Sequence, residues 1–218
     1  MAIVTYIMGR SGSGKTTSMR NLDPKETLLL RPVEKPLPFR SKEWTKLNKD
    51  NPTGSVITTD NYSTIIAAMD AAVNKYNKKI IVIDDVQYVM ANEFMRRASE
   101  RGYDKYSEMA DHMWRIIMEA TSLPDDIRVY ILTHEEEDQN GNIKIKTIGK
   151  MLDEKITLAG LVTIVLRTKV DDGKYLFQTQ NSGRDECKSP IGLFDKDYIE
   201  NDLKFVDKQI KDYYGIGE

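Results

Sequence analysis

The residues Gly9 to Thr16, GRSGSGKT, constrain this chain more than any other stretch. They match GxxxxGK[ST] in a context where that pattern carries meaning. An apolar, β-branched run from Ile3 to Met8 precedes them, and a segment that reads as a helix from about Lys15 to just before Asp23 and Pro24 follows. A strand, a tight turn and a helix in that order aim successive amides inward, where with the positive end of the helix they can cradle the phosphates of a nucleotide. Gly9, Gly12 and Gly14 allow the turn, and Ser11, Ser13 and Thr17 add donors. Lys15 is placed to reach the β- and γ-phosphates, and Thr16 to put its hydroxyl on Mg²⁺. Composition alone would bring the four fixed positions together in roughly one chain in a hundred of this length.

Ile80 to Ile83 is an apolar run too short for a helix, and Asp84 and Asp85 follow it directly. It reads as a buried parallel strand. At the carboxyl end of such a strand, beside a phosphate loop, Asp84 is placed to hold Mg²⁺ through water. The competing reading has the two aspartates capping the next helix. Arg128 to Thr133 reads as a further strand with His134 at its carboxyl end, where a γ-phosphate sensor belongs. A histidine merely hydrogen-bonded at a strand end is the alternative.

The remaining pattern alternates helices with strands. Thr27 to Leu30 and Val56 to Thr58 read as short strands, and a helix capped by Asp60 or Ser63 carries Ile65, Ile66, Met69, Ala72, Val73 and Tyr76 on one face. Ala91 to Arg101 and Tyr106 to Ser122 read as helices, the second with Met109, Met113, Ile116 and Ala120 as its apolar stripe. Asn140-Gly141 signals a hairpin; with those two residues as the turn, Glu137 falls opposite Lys144 and Glu135 opposite Lys146. Asp172-Gly173 signals a second hairpin, and the last helix runs from about Asp202 to Tyr214.

Charge narrows the partners. With 32 Lys and Arg against 34 Asp and Glu, a net charge of −2 argues against a protein that coats nucleic acid by bulk charge, so any such site must be local. The stretch that pairs cations with aromatics runs from Lys35 to Lys49, with Arg40, Lys42 and Lys46 beside Phe39 and Trp44. That mixture suits a single strand of nucleic acid, although Glu34, Glu43 and Asp50 dilute it toward an ordinary solvated loop. The lone Cys187 excludes an internal disulfide framework. The chain enters a strand at once without a signal peptide, and its longest apolar stretch, near Ala159 to Leu166, falls far short of the roughly 20 residues that span a bilayer. A cytoplasmic protein without a membrane partner is expected.

The order of these parts resembles a RecA-like P-loop ATPase, and more closely the phage ATP-binding proteins of the RecA-like single-strand annealing group. GRSGSGKT, KPLPF at Lys35 to Phe39, IIVIDDVQY at Ile80 to Tyr88, the strand ending in His134 and KTIGK at Lys146 to Lys150 carry the resemblance. It implies an α/β RecA-like P-loop NTPase fold over residues 1–218 as a single domain, with a mainly parallel central sheet and helices on both faces. ATP and Mg²⁺ binding, and a role in phage DNA recombination through annealing of single strands, are implied with it. Glu34, just beyond the second strand, resembles the carboxylate that orients the attacking water; Asp85, next to the metal-binding aspartate, is its rival. The resemblance further implies a homo-oligomer in which Lys150 or Lys155 of one copy reaches the γ-phosphate held by its neighbour, surface lysines being the plainer reading. A single-strand DNA-binding protein is a further candidate partner. Two other classes share the phosphate loop: a nucleoside or nucleotide kinase, and a nucleotide-gated loader of another DNA protein.

Overall fold

The computed structural model describes residues 1–149, 152 and 156–217. Its centre is a nine-stranded sheet. In chain order the strands are β1 (Ile3–Gly9), β2 (Thr27–Arg31), β3 (Val56–Thr58), β4 (Ile80–Ile83), β5 (Arg128–Glu137), β6 (Ile143–Ile145), β7 (Ile164–Asp171), β8 (Lys174–Gln178) and β9 (Tyr198–Glu200). Across the sheet the order is β3-β2-β4-β5-β1-β7-β8-β9, with β6 paired to β5. The six strands from β3 to β7 run parallel; β6, β8 and β9 are antiparallel additions. Because β5 lies between β1 and β4, the carboxyl ends of all three meet, and Gly9 stands in register with His134.

Both faces of the central parallel strands are covered, so β2 and β4 carry continuous apolar runs without alternation. Val4, Tyr6 and Met8 pack with helices α1 (Tyr62–Asn74), α2 (Gln87–Arg96) and α3 (Asp104–Ser122). Ile7, Leu29, Val82 and Leu132 pack on the other side with Met19, Phe177 and the inner stripe of α4 (Leu203–Tyr214), Leu203, Val206 and Ile210. All four residues of β4 are buried, each worth about 1.5–3 kcal/mol by removal from water. The apolar stripe of α3 is buried as its spacing requires. No helix among the described residues is long and apolar enough to cross a membrane.

Three local expectations are corrected. The segment after the phosphate loop is a 3₁₀ helix, Thr16–Asn21, not an α-helix. Thr16, Thr17 and Ser18 are poor helix formers, and the Ser18 hydroxyl bonds back to the Lys15 carbonyl at 2.5 Å, which favours the tighter winding. The cap of α1 is Asn61, whose side chain accepts from the Thr64 amide at 3.0 Å, because Asp60 is held instead by Asn92 and Arg96. In the first hairpin the register shifts by one residue: Glu136 lies opposite Lys144 and Glu135 opposite Ile145. The Asp138 carboxylate accepts from the amides of Asn140 and Asn142, and Gly141 takes a positive φ of 79°, so the turn needs one more residue than Asn140-Gly141 alone. The second hairpin closes on Asp172-Gly173 as expected, with Asp171 opposite Lys174.

Candidate functional site

A cavity of about 290 Å³ opens where the carboxyl ends of β1, β4 and β5 meet. Ser11, Gly12, Gly14, Lys15, Thr16 and Thr17 line it from the loop after β1, and Lys35, Asp85, His134 and Tyr175 close it. The loop is held shut from behind. Ser13 is buried and shares a hydrogen bond with the Thr168 hydroxyl of β7, while a Cβ on Gly9 would stand 1.8 Å from that same oxygen. Gly14, at φ +98°, is pressed against the Tyr175 ring and the Asn201 amide, so no side chain fits at either glycine.

Lys15 is 5% exposed, and its ammonium donates to the carbonyls of Gly9 and Arg10, each at 2.9 Å. Burial lowers its pKa, against the pull of Asp85 and Asp84. A cation that solvates itself on its own loop, beside a cavity, is poised for an anion. Thr16 donates to both oxygens of Asp84, at 2.9 and 3.0 Å. Asp84 is buried; desolvation, reinforced by Asp85, pushes its carboxyl up to about 6.

Asp85 is buried as well, and its backbone is left-handed at φ 58°, a conformation that non-glycine residues adopt chiefly where the surroundings impose it. The turn aims its carboxylate into the cavity, where the Lys35 ammonium hydrogen-bonds it and the Nε2 of His134 lies 3.5 Å away. Burial works against the Lys35 charge most strongly of any single cause, but the bond to Asp85 together with the negative charges of Asp85 and Asp84 overcomes it and raises the pKa. His134 is shifted the other way by burial and then by Lys15, which favours the neutral ring. Its backbone amide is tied to the Gln87 side chain at 3.3 Å, fixing the strand end beside α2.

The chemistry of this donor set suits a magnesium nucleotide. Among the described residues no group of three His, Cys, Asp or Glu side chains can hold a metal alone. A hydroxyl and a carboxylate, Thr16 and Asp84, match the one or two protein oxygens with which Mg²⁺ is bound when phosphates and water complete its shell. With a 3₁₀ helix of six residues behind the loop, little helix dipole is available, and the loop amides and Lys15 are left to meet the phosphates.

Other expected residues lie elsewhere. Glu34 is not brought to the cavity: its side chain is 80% exposed and faces Arg31 at 3.6 Å. Lys150 and Lys155 lie outside the described residues. Phe39 and Trp44 meet edge to face, with centroids 6.1 Å apart, and are half-buried against the apolar face that α4 covers. Tyr175, Thr168 and Asn201 escape any motif because they reach the loop from far along the chain. A second cavity of about 830 Å³ touches the first at Thr17 and Tyr175 and is lined by Arg20, Phe194, Tyr198, Asn201 and Phe205. Neither side-chain amide atom of the buried Asn201 has a hydrogen-bond partner among the described residues.

A nine-stranded, mainly parallel sheet with helices on both faces, and a glycine-rich loop around a lysine at its carboxyl edge, define an α/β P-loop NTPase. A family model described as an AAA domain matches residues 1–191, and the chain belongs to that family. Membership carries with it nucleotide binding, usually with Mg²⁺. No curated protein matches the chain.

Proposed function

We propose that this protein is a Mg-dependent ATPase that serves phage DNA recombination by binding and annealing single strands. The ATPase reading is carried by one observation: Lys15, Thr16, Asp85 and His134 line one cavity, and Thr16 is hydrogen-bonded to the buried Asp84. Lys15 and the loop amides bind the phosphates, Thr16 and Asp84 hold Mg²⁺, and His134 senses the terminal phosphate. Mg²⁺, when bound, supplies charge neutralisation across the phosphate oxygens. Asp85, rather than Glu34, holds the attacking water, since it alone of the two faces the cavity. The larger adjoining cavity, aromatic and within its polar rim apolar, takes the base and ribose.

The DNA half of the proposal rests on the resemblance of KPLPF and KTIGK to the phage annealing group, and on a hollow of about 420 Å³ lined by Arg31, Lys35, Trp44 and Lys46. It shares Lys35 and Pro36 with the nucleotide cavity, so a strand lying there would sense the nucleotide. The active form is a homo-oligomer in the bacterial cytoplasm, with Lys150 or Lys155 acting on the neighbour's nucleotide and a single-strand DNA-binding protein as accessory.

Steady-state ATP turnover with and without single-stranded DNA, beside phosphate transfer to nucleosides, tests the reading. Turnover that rises with DNA, and a DNA effect that weakens as salt increases, is the expected result. Transfer to a nucleoside would make the protein a kinase, and tight ATP binding without turnover a nucleotide-gated loader.

A further inference from the structure

The cavity holds one cation that no phosphate-loop pattern accounts for. Lys35 enters from the segment after β2, and its ammonium is hydrogen-bonded to Asp85 while its side chain remains 45% exposed. The backbone there is fixed: Arg31 donates to the Lys35 carbonyl at 2.7 Å, and Pro36 and Pro38 stiffen the chain beyond it. The four-carbon side chain lies in the same cavity wall as Gly12, Gly14, Lys15, Thr16 and Thr17.

The charges at the cavity give that side chain a role. Asp84 and Asp85 are balanced by Lys15 and Lys35, so these four side chains together are close to neutral. A nucleoside triphosphate with Mg²⁺ brings about two net negative charges, and a diphosphate about one. Lys15 has two of its three N–H donors on carbonyls of its own loop, whereas among the described residues Lys35 has one on Asp85 and none on a carbonyl.

We propose that Lys35 is the residue by which the site tells a triphosphate from a diphosphate: it leaves Asp85 for the terminal phosphate when a nucleoside triphosphate binds. The inference rests on the nucleotide reading above. It makes Lys35 a second cation on the phosphate, supplied by the same chain. It also gives Asp85 two states: masked by the Lys35 ammonium, and open to a water hydrogen bond once a triphosphate has drawn the ammonium away. A diphosphate, ending one group short, leaves the pair closed. A cation that meets the terminal phosphate in this way strengthens as charge develops during transfer.

Calorimetry with Mg-ADP and with a slowly hydrolysed Mg-ATP analogue, on the full wild-type chain and on Lys35→Gln, decides the matter. Glutamine keeps a donor for Asp85 and loses the charge, which protects the fold; Lys35→Arg supplies a second, still cationic variant. The expected result is a fall of at least about ten-fold in analogue affinity for Lys35→Gln with ADP affinity changed less than about two-fold, and partial recovery in Lys35→Arg. An unchanged ratio of analogue to ADP affinity in Lys35→Gln, with wild type binding both, would overturn this inference and leave the nucleotide reading standing. Wild type binding neither would overturn both.

Discussion

The sheet buries charge at both of its ends, and the two ends do opposite things with it. At the amino end of β5, Arg128 is 4% exposed and meets Asp207 of α4 through two N–H donors, at 2.9 and 3.1 Å; the Tyr130 hydroxyl adds a third bond at 2.7 Å. A further donor of Arg128 goes to the Asp126 carbonyl. That cluster is closed, each charge answered by a fixed neighbour. At the carboxyl end two adjacent buried carboxylates face two lysines, one of them turned onto its own loop carbonyls and the other half in solvent. A closed cluster locks α4 to the sheet. An open one keeps its cations available to a ligand, at a cost in stability that binding would offset.

Breaking the closed cluster should have the largest effect on the fold and little on the site. Asp207→Ala leaves Arg128 buried and unpaired, and denaturant unfolding should show a loss of about 3–5 kcal/mol. At the open end the loss should appear in chemistry. Asp85→Asn removes the proton acceptor and should slow ATP turnover by at least about 100-fold, read in a single-turnover assay with enzyme in excess. Smallest of all is Glu34→Gln, whose exposed pair with Arg31 is worth little; turnover within about two-fold of wild type is expected. A slow Glu34→Gln beside a fast Asp85→Asn would exchange the two roles.

Much of the open end was legible because its signals are local. Strand, glycine loop and Lys15-Thr16 are contiguous, and β4 runs straight into Asp84 and Asp85. Topology then does the rest: placing β5 between β1 and β4 sets His134 beside both. What escaped depends on a one-residue difference or on distance. Glu34 is expected at the site only by its place after β2, and no periodicity within so short a loop tells that Lys35 and not Glu34 lines the cavity. The Glu135 to Ile145 hairpin fails for a similar reason, since the Asp138 turn takes one more residue than a two-residue turn and shifts each pair. The partnership of Arg128 with Asp207 joins two residues far apart in sequence, and only the docking of α4 reveals it.

The division between a closed structural end and an open binding end is tested most directly by thermal unfolding of three chains at rising Mg-ATP: wild type, Asp207→Asn and Lys15→Ala. Without nucleotide Asp207→Asn should unfold first. At a nucleotide concentration 100 times the dissociation constant, wild type and Asp207→Asn should each gain about 2.7 kcal/mol, and Lys15→Ala should gain nothing at the same concentration. A Lys15→Ala chain that Mg-ATP stabilises as it does wild type, or an Asp207→Asn chain that folds but no longer responds, would contradict the account.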